Sequence, residues 1–145
     1  MQVYAVPQFP LPGILSKGGL VIAKDPVFKH THYSEIPADE FGDEAPGVTI
    51  RRLIDEEWDG APFYNLRMLE IAPGGHTPDH AHANEHENFV VEGEGEVMVE
   101  GAYHPVGPGD VIFITAGMRH QYRNAGDTTF RFLCGVPVSK LLDAK

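Results

Sequence analysis

Four histidines are the residues of this sequence whose type and spacing suit chemistry. His80, His82 and His86 lie within residues 74–93, and His120 follows in a later segment. Successive side chains of a strand point to opposite faces, so His80 and His82 share a face and His86 keeps the same parity. Neutral imidazole is a common ligand of first-row transition metals. The pattern therefore predicts one metal site formed by all four histidines.

The two histidine segments resemble the paired motifs of the cupin superfamily. The first motif reads G(X)5HXH(X)3–4E(X)6G, and residues 74–93 fit it with His86 at the glutamate position. The second motif reads G(X)5PXG(X)2H(X)3N, and residues 109–124 fit it with Thr115 at the proline position. The resemblance implies a small single-domain cupin of the cupin_2 type. Its fold would be all-β, a double-stranded β-helix or jelly-roll barrel.

The fourth ligand depends on a choice between His86 and Glu87. A four-residue spacer would make Glu87 the usual carboxylate ligand, but the six-residue step to the closing Gly93 begins at His86. Parity also directs Glu87 to the opposite face. We therefore predict four histidine ligands, as in a subset of small cupins. Glu87 would then either support a ligand from behind or lie at the surface.

Composition and charge limit the class of protein and its partners. A chain of 145 residues suits one domain. The formal net charge of −10 argues against nucleic acid and anionic membranes as partners. The single cysteine, Cys134, excludes an intrachain disulfide. The N-terminal residues show neither a signal peptide nor a membrane span, so we expect a cytoplasmic location.

The chain as a whole has the pattern of an all-β protein. No segment has a long helical period, and 16 glycines and 12 prolines suit short strands and tight turns. We expect residues 1–46 to form an extended arm on the barrel or on a partner subunit, 47–138 the barrel, and 139–145 a tail. Family habit and this arm predict a homodimer. Strands are expected at 20–24, 48–54, 63–71, 88–91, 95–99, 103–106, 111–115 and 130–136, with 37–47 a solvated loop and 111–115 a buried strand.

The last strand and the residues after His120 supply candidates for a substrate pocket. Phe130, Phe132 and Cys134 share one face, and an inward orientation would give an apolar pocket with a thiol near the metal. The alternative for Cys134 is a small buried hydrophobe. Tyr122 and Gln121 are candidates for a hydrogen bond to substrate, with packing at the barrel mouth as the alternative.

Four further histidines lie outside the predicted site, and three of them, with one arginine, have positions that suggest a role. A second His-x-His pair, His30 and His32, has no further ligand nearby, so we expect a surface or partner contact. His76 shares the parity of His80 but lies roughly 13 Å from it along a straight strand. Arg119 is either an anion anchor or a surface charge.

The predicted site indicates chemistry performed by the metal. Four neutral ligands leave the cation its full charge, which favours anionic or enolate oxygens. The resemblance implies one divalent transition metal per chain, with Mn or Fe favoured over Ni, Zn, Co or Cu. The leading hypothesis is a dioxygenase-like oxidoreductase acting on a small organic anion or enol. The alternatives are a non-oxidative isomerase or lyase, a non-catalytic small-molecule-binding cupin, and a closed structural zinc site.

Overall fold

A computed structural model of the chain describes residues 28–139, and these form two antiparallel sheets with one short 3-10 helix. The predicted strand at 20–24 and the tail after residue 139 lie outside the described residues. The elements in chain order are the 3-10 helix Tyr33–Glu35, β1 Asp39–Glu40, β2 Val48–Ile54, β3 Tyr64–Ile71, β4 His86–Glu92, β5 Gly95–Val99, β6 Ala102–Val106, β7 Val111–Ile114, β8 His120–Asn124 and β9 Phe130–Pro137.

The two sheets face each other across one core. The larger sheet has the strand order β1-β2-β3-β9-β4-β7, and the smaller has the order β6-β5-β8. Tyr122 of β8 stacks on Phe132 of β9 with ring centroids 4.6 Å apart, and its hydroxyl accepts a hydrogen bond from Asn88 of β4. The non-sequential strand order and the facing sheets confirm the predicted jelly-roll fold.

The central strand β9 shows why the sheets close on each other. Every second residue is buried, with Phe130 and Phe132 at 0% exposure and Val136 at 1%. This alternation is the period of a strand with one face on the core. Burial of each large apolar side chain contributes about 1.5–3 kcal/mol. The strand therefore anchors β3 on one side and β4 on the other.

The turn between β4 and β5 explains the glycine that closes the first motif. Gly93 has a φ of +75°, and a Cβ placed there would lie 2.2 Å from the carbonyl oxygen of Thr129. Both the backbone conformation and the close approach require glycine. Two residues later, a Cβ on Gly95 would lie 2.4 Å from the Phe130 ring. The motif glycine Gly93 is thus needed for the turn and its close approach to the Thr129 backbone, whereas Gly95 leaves room for a core side chain.

Strands β2 and β5 have the predicted bounds, but the structure corrects two other expectations. Residues 39–40, expected in a solvated loop, form β1 by pairing with Ile50 and Thr49 of β2. The expected buried strand at 111–115 is buried on one face only, because Val111 and Phe113 are 77% and 60% exposed. Within residues 28–139, β7 lies at the edge of its sheet and its outer face has no cover.

Several expectations about the whole chain stay predictions. The described residues test neither the division into arm, barrel and tail, nor the homodimer, nor the cytoplasmic location. Among residues 28–139, no helix has the length and hydropathy that crossing a membrane requires.

Candidate metal centre

His80 is positioned by a backbone bridge to His120, the first residue of β8. The His80 N–H donates to the His120 carbonyl at 3.2 Å, and the His120 N–H donates back to the His80 carbonyl at 2.8 Å. Directly opposed residues of an antiparallel pair project from the same face. His86 reaches the same space as the first residue of β4, opposite the buried Ile114. The two sequence motifs therefore meet through main-chain hydrogen bonds.

The four imidazole rings surround one common space. The rings of His80, His82 and His120 have centroids 5.0 Å apart pairwise, and one ring nitrogen of each lies within 4.8 Å of the others. His86 lies 4.8 Å from His82 and 4.9 Å from His120 between centroids. Its Nε2 is 2.9 Å from Nε2 of His82. The ring nitrogens of His80, His82 and His120 thus form one mutually close group, and the His86 ring adjoins it through His82.

Hydrogen bonds at the outer ring nitrogens assign the protons. Nδ1 of His120 donates to the Met118 carbonyl at 2.8 Å, so its Nε2 keeps a free lone pair. Nδ1 of His82 instead accepts from the Asn84 N–H at 3.2 Å, which assigns the proton of the neutral ring to Nε2. This proton faces Nε2 of His86. A cation bound between these nitrogens would require that proton to move or leave.

Burial favours the neutral form of three of the imidazoles. It is the main cause of the lowered pKa of His80, His82 and His86, and the electrostatic effect of the neighbouring His120 ring adds to it. For His86 the pKa falls to about 3. Neutral imidazole is the form that ligates transition metals. The donor set, with several nitrogens directed at one space, therefore fits a divalent transition-metal cation.

A cavity of about 200 Å³ opens beside the rings. Its wall combines apolar side chains with scattered polar groups, and no carboxylate of residues 28–139 lines it. The apolar residues are Phe41, Ile50, Leu69, Phe132 and Val136, and the polar ones besides histidine are Arg67, Thr77, Asn84, Tyr122 and Cys134.

Three of the five predicted pocket residues line this cavity, namely Tyr122, Phe132 and Cys134. Phe130 is fully buried but packs behind Phe132, with ring centroids 5.1 Å apart, outside the lining. Gln121 does not line the cavity either. It alternates to the other face of β8, and its side-chain amide donates to the Thr77 carbonyl at 2.9 Å.

Cys134 lies directly behind one histidine. Its Sγ is 3.2 Å from Nδ1 of His86, and burial raises the pKa of the thiol to about 12. The sulfur is therefore a neutral thiol that contacts the outer edge of the His86 ring. The two roles weighed for this cysteine, buried hydrophobe and thiol near the site, describe the same position.

Glu87 and Arg119 lie away from the cavity. Glu87 is exposed on the outer face of β4, opposite Phe113, which favours the surface interpretation over support for a ligand. The Arg119 guanidinium forms two hydrogen bonds to Asp79, at 2.7 and 2.5 Å. That arginine is occupied at the surface rather than directed at the pocket.

The remaining histidines also lie outside the cluster. His76 forms an isolated bridge with Arg123, and its Nδ1 lies 3.4 Å from the Gln121 amide nitrogen. His30 and His32 are exposed, and Nδ1 of His32 accepts from the Ser34 N–H at the start of the 3-10 helix.

Sequence reasoning missed the cavity residues contributed by β2, β3 and the segments before β2 and β4. Arg67 is the most informative of them. Every second residue of β3 faces the core, and Arg67 belongs to the same parity set as the buried Asn65, Leu69 and Ile71. A single charged residue among the inward-facing positions of this strand is the sequence signal that would have identified Arg67 as a cavity residue.

Comparison with known proteins agrees with this geometry. The cupin domain family model, Cupin_2, matches residues 67–136. The polyketide cyclase RemF from Streptomyces resistomycificus is 36% identical and superposes with a TM-score of 0.71, over 77% of this chain and 80% of that chain. A cupin 2 domain-containing protein from Halorhodospira halophila is 30% identical with a TM-score of 0.60, over 68% and 69% of the two chains.

A curated relative matches a shorter region. The 1-methylthio-D-xylulose 5-phosphate methylsulfurylase of Rhodospirillum rubrum is 37% identical over 71 residues, which are 49% of this chain and 46% of that protein. The chain thus spans about half the length of this relative. Taken with the two-sheet fold and the convergent histidines, the family match and the structural relatives show that this chain belongs to the cupin family.

Proposed function

We propose that this cupin is a metal-dependent enzyme that acts, without consuming oxygen, on a small enolisable organic anion. The metal would be one divalent transition-metal cation held by His80, His82, His86 and His120, with Mn or Fe favoured. The observation that carries the proposal is the convergence of four imidazoles on a cavity that, in the described part of the chain, has no carboxylate in its lining. The open space beside the rings argues against a closed structural site.

A divalent cation with four neutral ligands supplies Lewis acidity toward a carbonyl or enolate oxygen. The chain's own residues would provide orientation and a dry environment. Leu69, Phe132 and Val136 form an apolar wall that excludes water, which strengthens every polar interaction inside.

Tyr122 is the best candidate for a hydrogen-bond donor to the substrate. Burial raises the pKa of its phenol, so the hydroxyl keeps its proton. Its oxygen already accepts a hydrogen bond from Asn88 at 2.9 Å, which leaves the hydroxyl hydrogen for the cavity. Cys134 is a poor nucleophile, because the thiolate is the reactive form and burial raises the thiol pKa.

The relatives favour the non-oxidative alternative over the dioxygenase hypothesis. One relative is named as a polyketide cyclase and another as a methylsulfurylase, and neither name denotes an oxygenase. Cyclisation of a polyketide proceeds through enolisable carbonyl groups, which matches the chemistry that the donor set supports. The dioxygenase hypothesis stays a prediction that oxygen uptake can test.

The test has two stages. Elemental analysis after chelation and reloading should find one divalent cation per chain, and His120→Ala should lose it. Metal-loaded protein should then convert model β-diketones or β-keto acids in a closed cell with no oxygen uptake, and chelation should abolish the conversion. Oxygen uptake coupled to conversion would support the dioxygenase hypothesis instead. Binding without conversion of any of these compounds would support the non-catalytic alternative.

A further inference from the structure

We propose that Arg67 binds the acid group of the substrate and thereby selects carboxylates. Calling the bound molecule a substrate depends on the function proposed above, and the inference names the substrate class of that site. The anion-binding position itself is argued from the sheet register, the charge distribution and the cavity.

The sheet register directs Arg67 to the histidines. Arg67 of β3 is directly opposite Cys134 of β9, and Cys134 is opposite Asn88 of β4. Directly opposed side chains share a face. Cys134 contacts His86 at 3.2 Å, so Arg67 belongs to the inward row beside the cluster and lines the same cavity.

Arg67 is the arginine without a partner in the part of the chain that the structure describes. The others are each engaged by a carboxylate or an aromatic ring. The pairs are Arg51 with Glu70, Arg119 with Asp79, Arg123 with Glu96, Arg131 with Glu70 and Glu92, and Arg52 over the Trp58 ring at 5.1 Å. Arg67 is half-buried and has neither an ion pair nor a hydrogen bond within residues 28–139. A partly desolvated cation with no direct ion pair or hydrogen bond is costly, which indicates a position for an external anion.

The neighbouring strand increases the positive charge at this position. Arg52 of β2 is directly opposite Arg67 in the sheet. Like charges directly opposed across strands are destabilising. An oxyanion bound at Arg67 would reduce this repulsion, since it would neutralise the Arg67 guanidinium.

The surroundings determine on which side of Arg67 the anion binds. Arg67 lies where the histidine cavity meets a larger open groove of about 620 Å³, and Phe41 and Ile50 also line both. The groove carries five acidic residues, which repel an anion: Asp39, Glu40, Asp55, Glu56 and Glu57. None of the described residues that line the histidine cavity is a carboxylate. The anion is therefore favoured on the cavity side.

The shape of the cavity describes the rest of the molecule. The guanidinium stands at the groove end, the imidazoles form another part of the wall, and Leu69 and Phe132 provide apolar surface. The planar guanidinium matches a carboxylate with two parallel hydrogen bonds. The ligand is therefore an organic carboxylate with an apolar body, whose acid group is separate from the oxygen presented to the histidines.

The test compares benzoate with its neutral isostere benzamide on metal-free protein, titrated by NMR at mildly alkaline pH so that the imidazoles are uncharged. Wild type should bind benzoate roughly tenfold or more tightly than benzamide, since hydrogen bonds to charged groups are the strong ones. Arg67→Gln should lose this preference. The matched control Arg119→Gln should retain it, because Arg119 is paired with Asp79 outside the cavity.

Other outcomes would overturn the inference. Equal binding of benzoate and benzamide by wild type, or an unchanged preference in Arg67→Gln, would contradict an anion site at Arg67. Tighter Arg67-dependent binding of phenyl phosphate than of benzoate would contradict the carboxylate class. If Arg67→Gln does not fold, Arg67→Lys carries the test, and it should weaken benzoate several-fold because it lacks the planar fork.

The two proposals fail separately. Absence of metal binding by wild type would sink the proposed function and leave the benzoate result intact. Absence of a benzoate preference in wild-type protein that binds metal normally would sink only the assignment of Arg67.

Discussion

The His-x-His pattern occurs twice in this chain, and the two copies have different surroundings. His30 and His32 are exposed beside a 3-10 helix, where His32 accepts a hydrogen bond from Ser34. His80 and His82 precede β4 and are joined to β8 by the bridge between His80 and His120. Only the second pair belongs to a histidine cluster among the described residues. The His-x-His tripeptide places two imidazoles on one face of the chain. Convergence of several imidazoles on one space also requires another strand that brings further ligands.

Burial separates the two pairs as well. The second pair lies against a cavity, and burial lowers the pKa of both its imidazoles. Two histidines that share a face at the surface remain two solvated side chains. Two histidines that share a face between packed sheets are held in place by packing, and their neutral rings can bind a metal. The following predictions test this difference, from the largest expected effect to the smallest.

Removing the ligand contributed by β8 should have the largest effect. We expect His120→Ala to weaken divalent-cation binding roughly hundredfold or more, because it removes both a donor and the neighbour that faces the other three rings. The matched variant His32→Ala should bind as wild type does. Isothermal titration with Mn or Zn measures both. Equal affinities in the two variants would show that the cluster of His80, His82 and His120 is no more a metal site than the exposed pair His30 and His32.

Acidification should destabilise the metal-free protein through the buried cluster. The pKa of His86 falls from 6.5 to about 3 on folding, so the unfolded chain binds the proton first. The folded protein has its full stability with respect to His86 above about pH 6.5 and loses stability as the pH falls toward about 3. The loss at about pH 5 is at most about 2 kcal/mol. Urea unfolding across this range should show a shallower pH dependence in His86→Gln. Parallel curves for the two proteins would contradict the prediction.

The fourth position distinguishes two neighbouring residues on opposite faces of β4. His86→Ala should lower cation affinity about tenfold, since three imidazoles would remain. Glu87→Ala should leave the affinity unchanged, because this carboxylate is exposed on the outer face. Metal titration of the two variants decides between them. Loss of affinity in Glu87→Ala alone would reverse the assignment.

The smallest effect is expected at the exposed pair. His32→Ala removes the acceptor for the Ser34 N–H at 3.3 Å, and loss of such a capping contact should cost less than about 1 kcal/mol. Thermal unfolding measures the change. A loss of several kcal/mol would mean that the first pair is more than a surface contact.

The strands that the sequence predicted well have strong local patterns. Residues 48–54 and 95–99 have the predicted bounds because β-branched and alternating residues indicate a half-buried strand. Asp39 and Glu40 have no such pattern, and they form a strand only because β2 offers an edge to pair with. Phe113 is exposed although its segment is strongly apolar, because β7 lies at the edge of its sheet. Edge or centre depends on strand order, which a local pattern does not contain.

The same division applies to the candidate site. The amino-acid sequence by itself determined which imidazoles share a parity, and it predicted His86 rather than Glu87 as the fourth ligand. Those properties depend on spacing along a single extended segment. Only the tertiary structure decided that Arg67 stands beside the histidines and that Cys134 lies behind His86. Both placements depend on the register between β3, β9 and β4, which is set by packing across the core between residues far apart in the chain.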